Sequence, residues 1–151
     1  MAKNRQGQPM VPSLMDRLLV DRRGKRTLRD VRKFVARDLE DLLNTRCRCE
    51  LLPEEMSELQ SSMVNYGLPD FTGVKMSGVN ERGQLRRLLE DAIRRYESRL
   101  LSVRVTLVDN DDASDRRLHF RIDATLNIQP TPAPVVFDSL LEPASAIFKV
   151  E

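Results

Sequence analysis

The sequence predicts an α+β fold: three main helices packed on a small, mostly antiparallel β-sheet, with a flexible N-terminal arm. Three observations carry this. Apolar residues recur three and four apart over 28–43, 56–66 and 85–96, the period of a helix with one buried stripe. They alternate strictly with polar residues over 101–107 and 118–128, the period of a strand with one buried face. Pro130, Pro132 and Pro134 then set off a tail with short strand pieces.

At 151 residues the chain is long enough for one domain. Such a chain buries roughly 68–70% of its unfolded surface, so it needs no disulfide staples. It has no Trp and only 5% aromatics, so Leu, Val and Ile must fill the core. No window approaches the roughly 18 apolar residues of a membrane span. Met1 to Pro9 contains no signal-peptide core, and the cytoplasm is the expected compartment. Cys47 and Cys49 are separated by one residue, so a bridge between them would close a strained ring; reduced thiols fit that compartment. Net charge is +2, but residues 1–37 carry eleven Lys/Arg against three Asp/Glu, and the remainder carries fourteen against twenty. A basic front on an acidic body suggests contact with an acidic protein surface.

Residues 1–26 are expected to form the arm and 27–151 the folded domain. Within the arm Leu14 and Leu18, and Met15 and Leu19, stand four apart. So short a helix is not stable alone and must dock. Arg22 and Arg23 sit in the charged linker that follows.

Helix one should start at Thr27, with Asp30 serving the N-terminal dipole, and run to Asn44-Thr45. Its stripe is Leu28, Val31, Val35, Leu39 and Leu42, with Phe34 and Leu43 beside it. Arg29, Arg32, Lys33 and Arg37 fill its first half and Asp38, Glu40 and Asp41 its second, which opposes the macrodipole. Helix two should begin at Pro53, present Met56, Leu59, Met63 and Tyr66, and stop at Gly67. Pro69 forces a turn over 68–73. Asn80 is the expected cap of helix three, whose stripe is Leu85, Leu88, Leu89, Ala92, Ile93 and Tyr96.

The chain turns at Glu97-Ser98-Arg99. Strand one should bury Leu101, Val103, Val105 and Leu107, and strand two Leu118, Phe120, Ile122, Ala124, Leu126 and Ile128. The acidic loop 109–115 is a hairpin tip. Residues 129–134 should be extended and unpaired, and the tail should close on a strand alternating through Ala146, Phe148 and Val150.

No catalytic constellation emerges. His119, the single histidine, falls on the polar side of strand two, with no serine in a nucleophile elbow to partner it. Cys47-Arg48-Cys49 lacks the further ligands of a zinc site. A glycosidase needs two working carboxylates. Glu97 is one candidate, but beside Arg99 it fits better as half of a charge-assisted pair holding the helix–strand junction. The basic front has no aromatic residue before Phe34, so it offers no stacking platform for bases. Neither enzyme activity, cofactor, metal nor nucleic acid is expected.

Several strings, in order, span nearly the whole chain: Ser13 to Leu18, Asp38 to Arg46, Tyr66 to Phe71, Glu97 to Leu100, Phe120 to Ala124, and Phe137 to Pro143. In combination they resemble the TssE family of type VI secretion baseplate subunits, which is similar to the wedge subunit of contractile-phage baseplates. The family signature at the junction is Glu-Pro-Arg; here Ser98 stands in the proline position.

The resemblance implies a structural role, not the lysozyme-like activity the family label once carried. It implies a cytoplasmic baseplate docked at the inner membrane, without direct membrane insertion. The implied partners are the baseplate proteins TssF, TssG and TssK and the sheath proteins TssB and TssC, with a sheet edge available for strand addition. On this reading Glu97, Ser98 and Arg99 form the sheath-facing junction. Leu14, Met15, Leu18, Leu19, Arg22 and Arg23 dock the arm on a partner. A regulatory module of the anti-adaptor type, with a similar fold, is the alternative.

Overall fold

The structure is a computed structural model that describes residues 27–47, 57–60, 62–71, 78–108, 117–128 and 131–151. Two long helices, α1 (Leu28–Asn44) and α2 (Val79–Tyr96), lie on one face of a four-stranded antiparallel meander. Its strands are β1 (Leu100–Val108), β2 (Leu118–Leu126), β3 (Ala133–Glu142) and β4 (Ile147–Val150), adjacent in chain order.

The α1 start is a complete capping box. Thr27 N–H donates to Asp30 Oδ2 at 2.9 Å, and Asp30 N–H donates to Thr27 Oγ1. The Thr27 backbone bond, and then its hydroxyl, hold the Asp30 carboxyl below its ordinary range. Val35, Leu39, Leu42 and Leu43 are buried, whereas Leu28, in the first turn, is 44% exposed.

Within the described residues no third long helix is seen. Among the described residues the middle segment holds one helical turn, Ser57–Gln60, and a 3-10 turn, Met63–Asn65. Ser62 explains the break. Its hydroxyl donates to Leu59 O at 2.7 Å and its backbone is extended (φ −78°, ψ 164°), so the side chain replaces a helical bond. Met63, assigned to the stripe from sequence, is 78% exposed. Pro53 and Met56 lie outside the described residues, as do the acidic loop 109–115 and Cys49.

Gly67 does not end a long helix but follows Tyr66, the C-cap of the 3-10 turn. It has φ +109° and allows Leu68 to form a parallel bridge with Arg46. A Cβ on Gly67 would lie 2.4 Å from Thr45 O. Asn80 is not the α2 cap either. That position is Gly78, over which the Glu81 carboxylate folds so closely that a Cβ would meet Oε2 at 1.8 Å.

Sheet parity decides the core. Val103, Val105, Phe120, Ile122, Phe137, Leu141, Phe148 and Val150 all face the helices. At the start of β1 the register slips, Leu100 pairing with Leu126 and Ser102 with Thr125. This bulge reverses the expected parity: Leu100 is buried and Leu101 is 44% exposed. In α2, Leu85, Leu89, Ala92 and Ile93 are buried and Leu88 is 40% exposed.

The proline segment is only partly unpaired. Pro134 lies within β3, opposite Thr125. The N–H and C=O of Leu126 and Ala124 point to β3, so Pro134 nitrogen points away, where β4 does not extend. The tail strand is shorter than expected, since Ala146 (φ 54°) belongs to the tight β3–β4 turn.

The close approach at Gly67 gives the first prediction. Gly67→Ala should cost about 2 kcal/mol or more in chemical denaturation, from positive-φ strain and contact with Thr45. A variant as stable as the parent would show that the bridge does not need glycine.

Candidate assembly interface

α2 ends where its stripe meets the sheet, and the chain reverses in a turn closed by Leu100 N–H donating to Glu97 O at 3.2 Å. Glu97 is 7% exposed, a buried carboxylate that needs partners. Arg99 supplies them. Its backbone N–H and Nε donate to Glu97 Oε1 at 3.0 and 2.8 Å, and Nη2 donates to Glu97 Oε2. Nη2 also reaches Asp38 Oδ2 on α1 at 2.7 Å. The Arg99 carbonyl accepts from Asn127 N–H at 2.8 Å, tying the turn to the end of β2.

Burial works against the Arg99 charge, but Glu97 first and Asp38 second outweigh it and raise the guanidinium pKa further. Beside this cluster Tyr66 packs edge-on to Tyr96 at 5.1 Å. Burial, then the Asp38, Asp41 and Glu97 carboxylates, push the Tyr66 phenol above its ordinary value.

Both sheet edges are covered by helix side chains. On β4, Asn44 Nδ2 donates to Phe148 O at 2.9 Å and Oδ1 accepts from Phe148 N–H at 2.8 Å. Glu40 accepts from Val150 N–H at 2.9 Å. On β1, Val105 N–H donates to Glu90 Oε2 at 3.1 Å, and Arg94 Nη2 donates to Val103 O at 2.8 Å. Arg86 Nη1 reaches Val105 O at 3.4 Å. The hairpin edge expected from sequence is therefore capped along part of its length.

The sheet face away from the helices has no cover within the described chain. A shallow groove of about 360 Å³ lies there, lined by Val108, His119, Arg121, Asp138, Leu140 and Lys149. Arg121 and Asp138 pair across it at 3.6 Å. Cys47 Sγ lies 2.8 Å from Asn65 Oδ1, remote from this groove's lining. Among the described residues no three His, Cys, Asp or Glu side chains converge as a metal-binding group. No described helix is long and apolar enough to cross a membrane.

The structure brings Glu97 and Arg99 together and leaves Ser98 exposed between them. Leu14, Met15, Leu18, Leu19, Arg22 and Arg23 lie outside the described residues. Sequence reasoning missed the contacts of Asp38 with Arg99, Glu40 with Val150, Asn44 with Phe148 and Glu90 with Val105, which join separate elements. The one available signal was the four-residue spacing of Arg86, Glu90 and Arg94, which by itself indicates only a charged helix face.

The chain matches the family model described as baseplate wedge protein gp25 over residues 29–131, from the first turn of α1 through β2. A chain of a solved structure described as "The baseplate complex from the type VI secretion system" is similar in fold, at 18% identity and a TM-score of 0.52. The match covers 76% of this chain and 96% of that one. A search of curated proteins finds no match.

Two outcomes follow for the junction. Arg99→Ala leaves the Glu97 carboxylate buried without its cation and should cost about 2–4 kcal/mol, read from urea midpoints. Unchanged midpoints would mean that water satisfies Glu97 equally well. Ser98→Pro should stabilise by about 0.4–1 kcal/mol, because proline suits the second position of the turn and restricts the unfolded chain. A lower melting temperature would show that the turn requires a backbone proline cannot adopt.

Proposed function

This chain belongs to the baseplate wedge protein gp25 family, and from that premise we propose that it is a structural subunit of a type VI secretion baseplate. The family match carries the reading, since it spans α1, α2, β1 and β2 and so includes the whole Glu97–Arg99–Asp38 junction. The likeness in fold to a chain of a type VI baseplate complex supports the choice of system.

In this role the subunit joins the baseplate wedge to the contractile sheath and helps to start sheath assembly. Its baseplate partners are TssF, TssG and TssK, and its sheath partners are TssB and TssC, in a baseplate docked at the inner membrane. The junction holds α1, α2 and the sheet in one orientation, so that a partner meets a preformed surface. Residues 1–26 dock on a neighbouring subunit through Leu14, Met15, Leu18 and Leu19, with Arg22 and Arg23 steering the encounter. The work is binding, and no catalytic step is assigned to any residue.

A tagged pull-down from the native cell, read by mass spectrometry, tests both parts. The full chain should recover TssF, TssG and TssK, and a chain lacking residues 1–26 should recover markedly less. Equal recovery would remove the docking role from the arm. Recovery of one soluble regulator in place of the baseplate proteins would overturn the assembly role.

A further inference from the structure

The apolar stripe of α1 runs past the core that buries it. Val35, Leu39 and Leu42 are buried, but Leu28 is 44% exposed and Val31 and Phe34 are only half-buried. From Leu28 to Phe34 the helix rises about 9 Å. The Arg37 guanidinium lies 5.9 Å from the Phe34 ring, and Val31 touches the core cluster only at its margin. The first two turns of α1 thus present an apolar flank that no described element closes over.

The chain leading into this flank carries helix signals of its own. α1 opens on Thr27-Leu28-Arg29-Asp30, where Thr27 and Asp30 close a capping box. Ser13-Leu14-Met15-Asp16 repeats that pattern: a hydroxyl, a leucine next to it, and an aspartate at the third position after it. Leu14, Met15, Leu18 and Leu19 then form a stripe, Arg22 and Arg23 suit a last turn, and Gly24 suits the stop. Only Gly24, Lys25 and Arg26 separate the end of this pattern from the Thr27 cap. A connection of about 2–5 residues joins antiparallel helices that lie side by side. A helix this short is marginal alone in water and needs an apolar surface. The surface within reach of that connection is the flank of α1.

We propose that residues 13–23 fold back on the first turns of α1 as an antiparallel helix, and that this contact holds the arm on its own domain in the free subunit. A return across Gly24-Lys25-Arg26 sets Leu19 level with Val31 and places Leu18 and Met15 on either side of Phe34. The Arg22 stem lies along Leu28 with its guanidinium in water. Charge agrees with this direction. From Ser13 to Asp21 the returning segment carries two aspartates and one arginine, so it meets the basic half of α1 as the more acidic partner. The consequence rests on the assembly role above. Leu14, Met15, Leu18 and Leu19 are the residues with which the arm docks on a neighbour, so one stripe serves two surfaces. A neighbour must displace the fold-back first, which lowers its apparent affinity by the fraction of subunits whose arm is free.

The test uses the full chain, read by nuclear magnetic resonance and amide hydrogen exchange. Residues 14–23 should show helical Cα shifts and slowed exchange, and the Leu18 and Leu19 methyls should give Overhauser contacts to Val31 and Phe34. Leu14→Ser with Leu18→Ser should speed exchange across 14–23 by roughly tenfold or more and shift the Val31 and Phe34 amides, while the β2 amides stay in place. Phe34→Ala should loosen the arm from the α1 side. The arm variant lies outside the core cluster, so it keeps the test decisive if Phe34→Ala unfolds the domain. Exchange at the unstructured rate across 14–23 in the parent chain overturns the proposal, as does an arm that stays protected in a folded Phe34→Ala chain. Protection that falls on dilution assigns the contact to a second copy and overturns the fold-back equally. In the pull-down, folded Phe34→Ala should recover more of the baseplate proteins than the parent, and unchanged recovery with a loosened arm overturns the competition. A parent chain that recovers none of them while its arm stays protected removes the assembly role and keeps the fold-back.

Discussion

One guanidinium holds the fold in register with itself. Arg99 sits where α2 becomes β1, and its Nε and Nη2 donate to Glu97 on the near side and Nη2 also to Asp38 on α1. A carboxylate as buried as Glu97 is costly unless it is both paired and hydrogen-bonded. Arg99 relieves that cost from two residues away, and its Nη2 reaches on to Asp38 of α1. The same residue's carbonyl receives Asn127 N–H, so the end of β2 is fixed by the same turn. The cluster thus ties α1, the end of α2 and the end of β2 together.

With the helices fixed on one face, the sheet is left one-sided. Four strands cannot close on themselves, so two edges and one broad face remain for solvent or partners. The chain covers the edges with side chains rather than with further strands. Such cover keeps an edge from pairing with an arbitrary strand. Asn44 imitates the donor and acceptor of a strand residue on β4, whereas β1 is met by the charged side chains of Arg86, Glu90 and Arg94.

Local chemistry made much of this legible. The Thr27 cap, the α2 stripe and the alternation of β2 depend on neighbours in sequence, and each was readable at the level of single residues. The failures have a common cause. Leu101 and Met63 carry the right hydrophobic period, but a bulge and a serine shift the backbone phase beneath them. Gly67 was marked as a break without any sign that Thr45, far away in the chain, required it. Pro134 looked incompatible with a strand because sequence does not show that β4 stops short of it. At the junction, Glu97 and Arg99 could be paired from their spacing, while Asp38 could not, since it lies 61 positions from Arg99.

The charge order of α1 shows how a local penalty can be explained by distant contacts. Asp38, Glu40 and Asp41 lie in the C-terminal half, where the helix dipole disfavours acidic residues, most of all Asp41 in the last turn. The structure supplies targets for two of them. Asp38 meets Arg99, and Glu40 accepts from the β4 backbone. Moving either to the first half of the helix would please the dipole and abandon its partner. The basic half has a different status. Arg32 lies 5.9 Å over the Phe137 ring and shields the end of the core, while Arg29 and Lys33 point to solvent. Two of the three acidic side chains are thus accounted for inside the molecule, and in the basic half Arg37 pairs with Asp38 while Arg29 and Lys33 stay exposed.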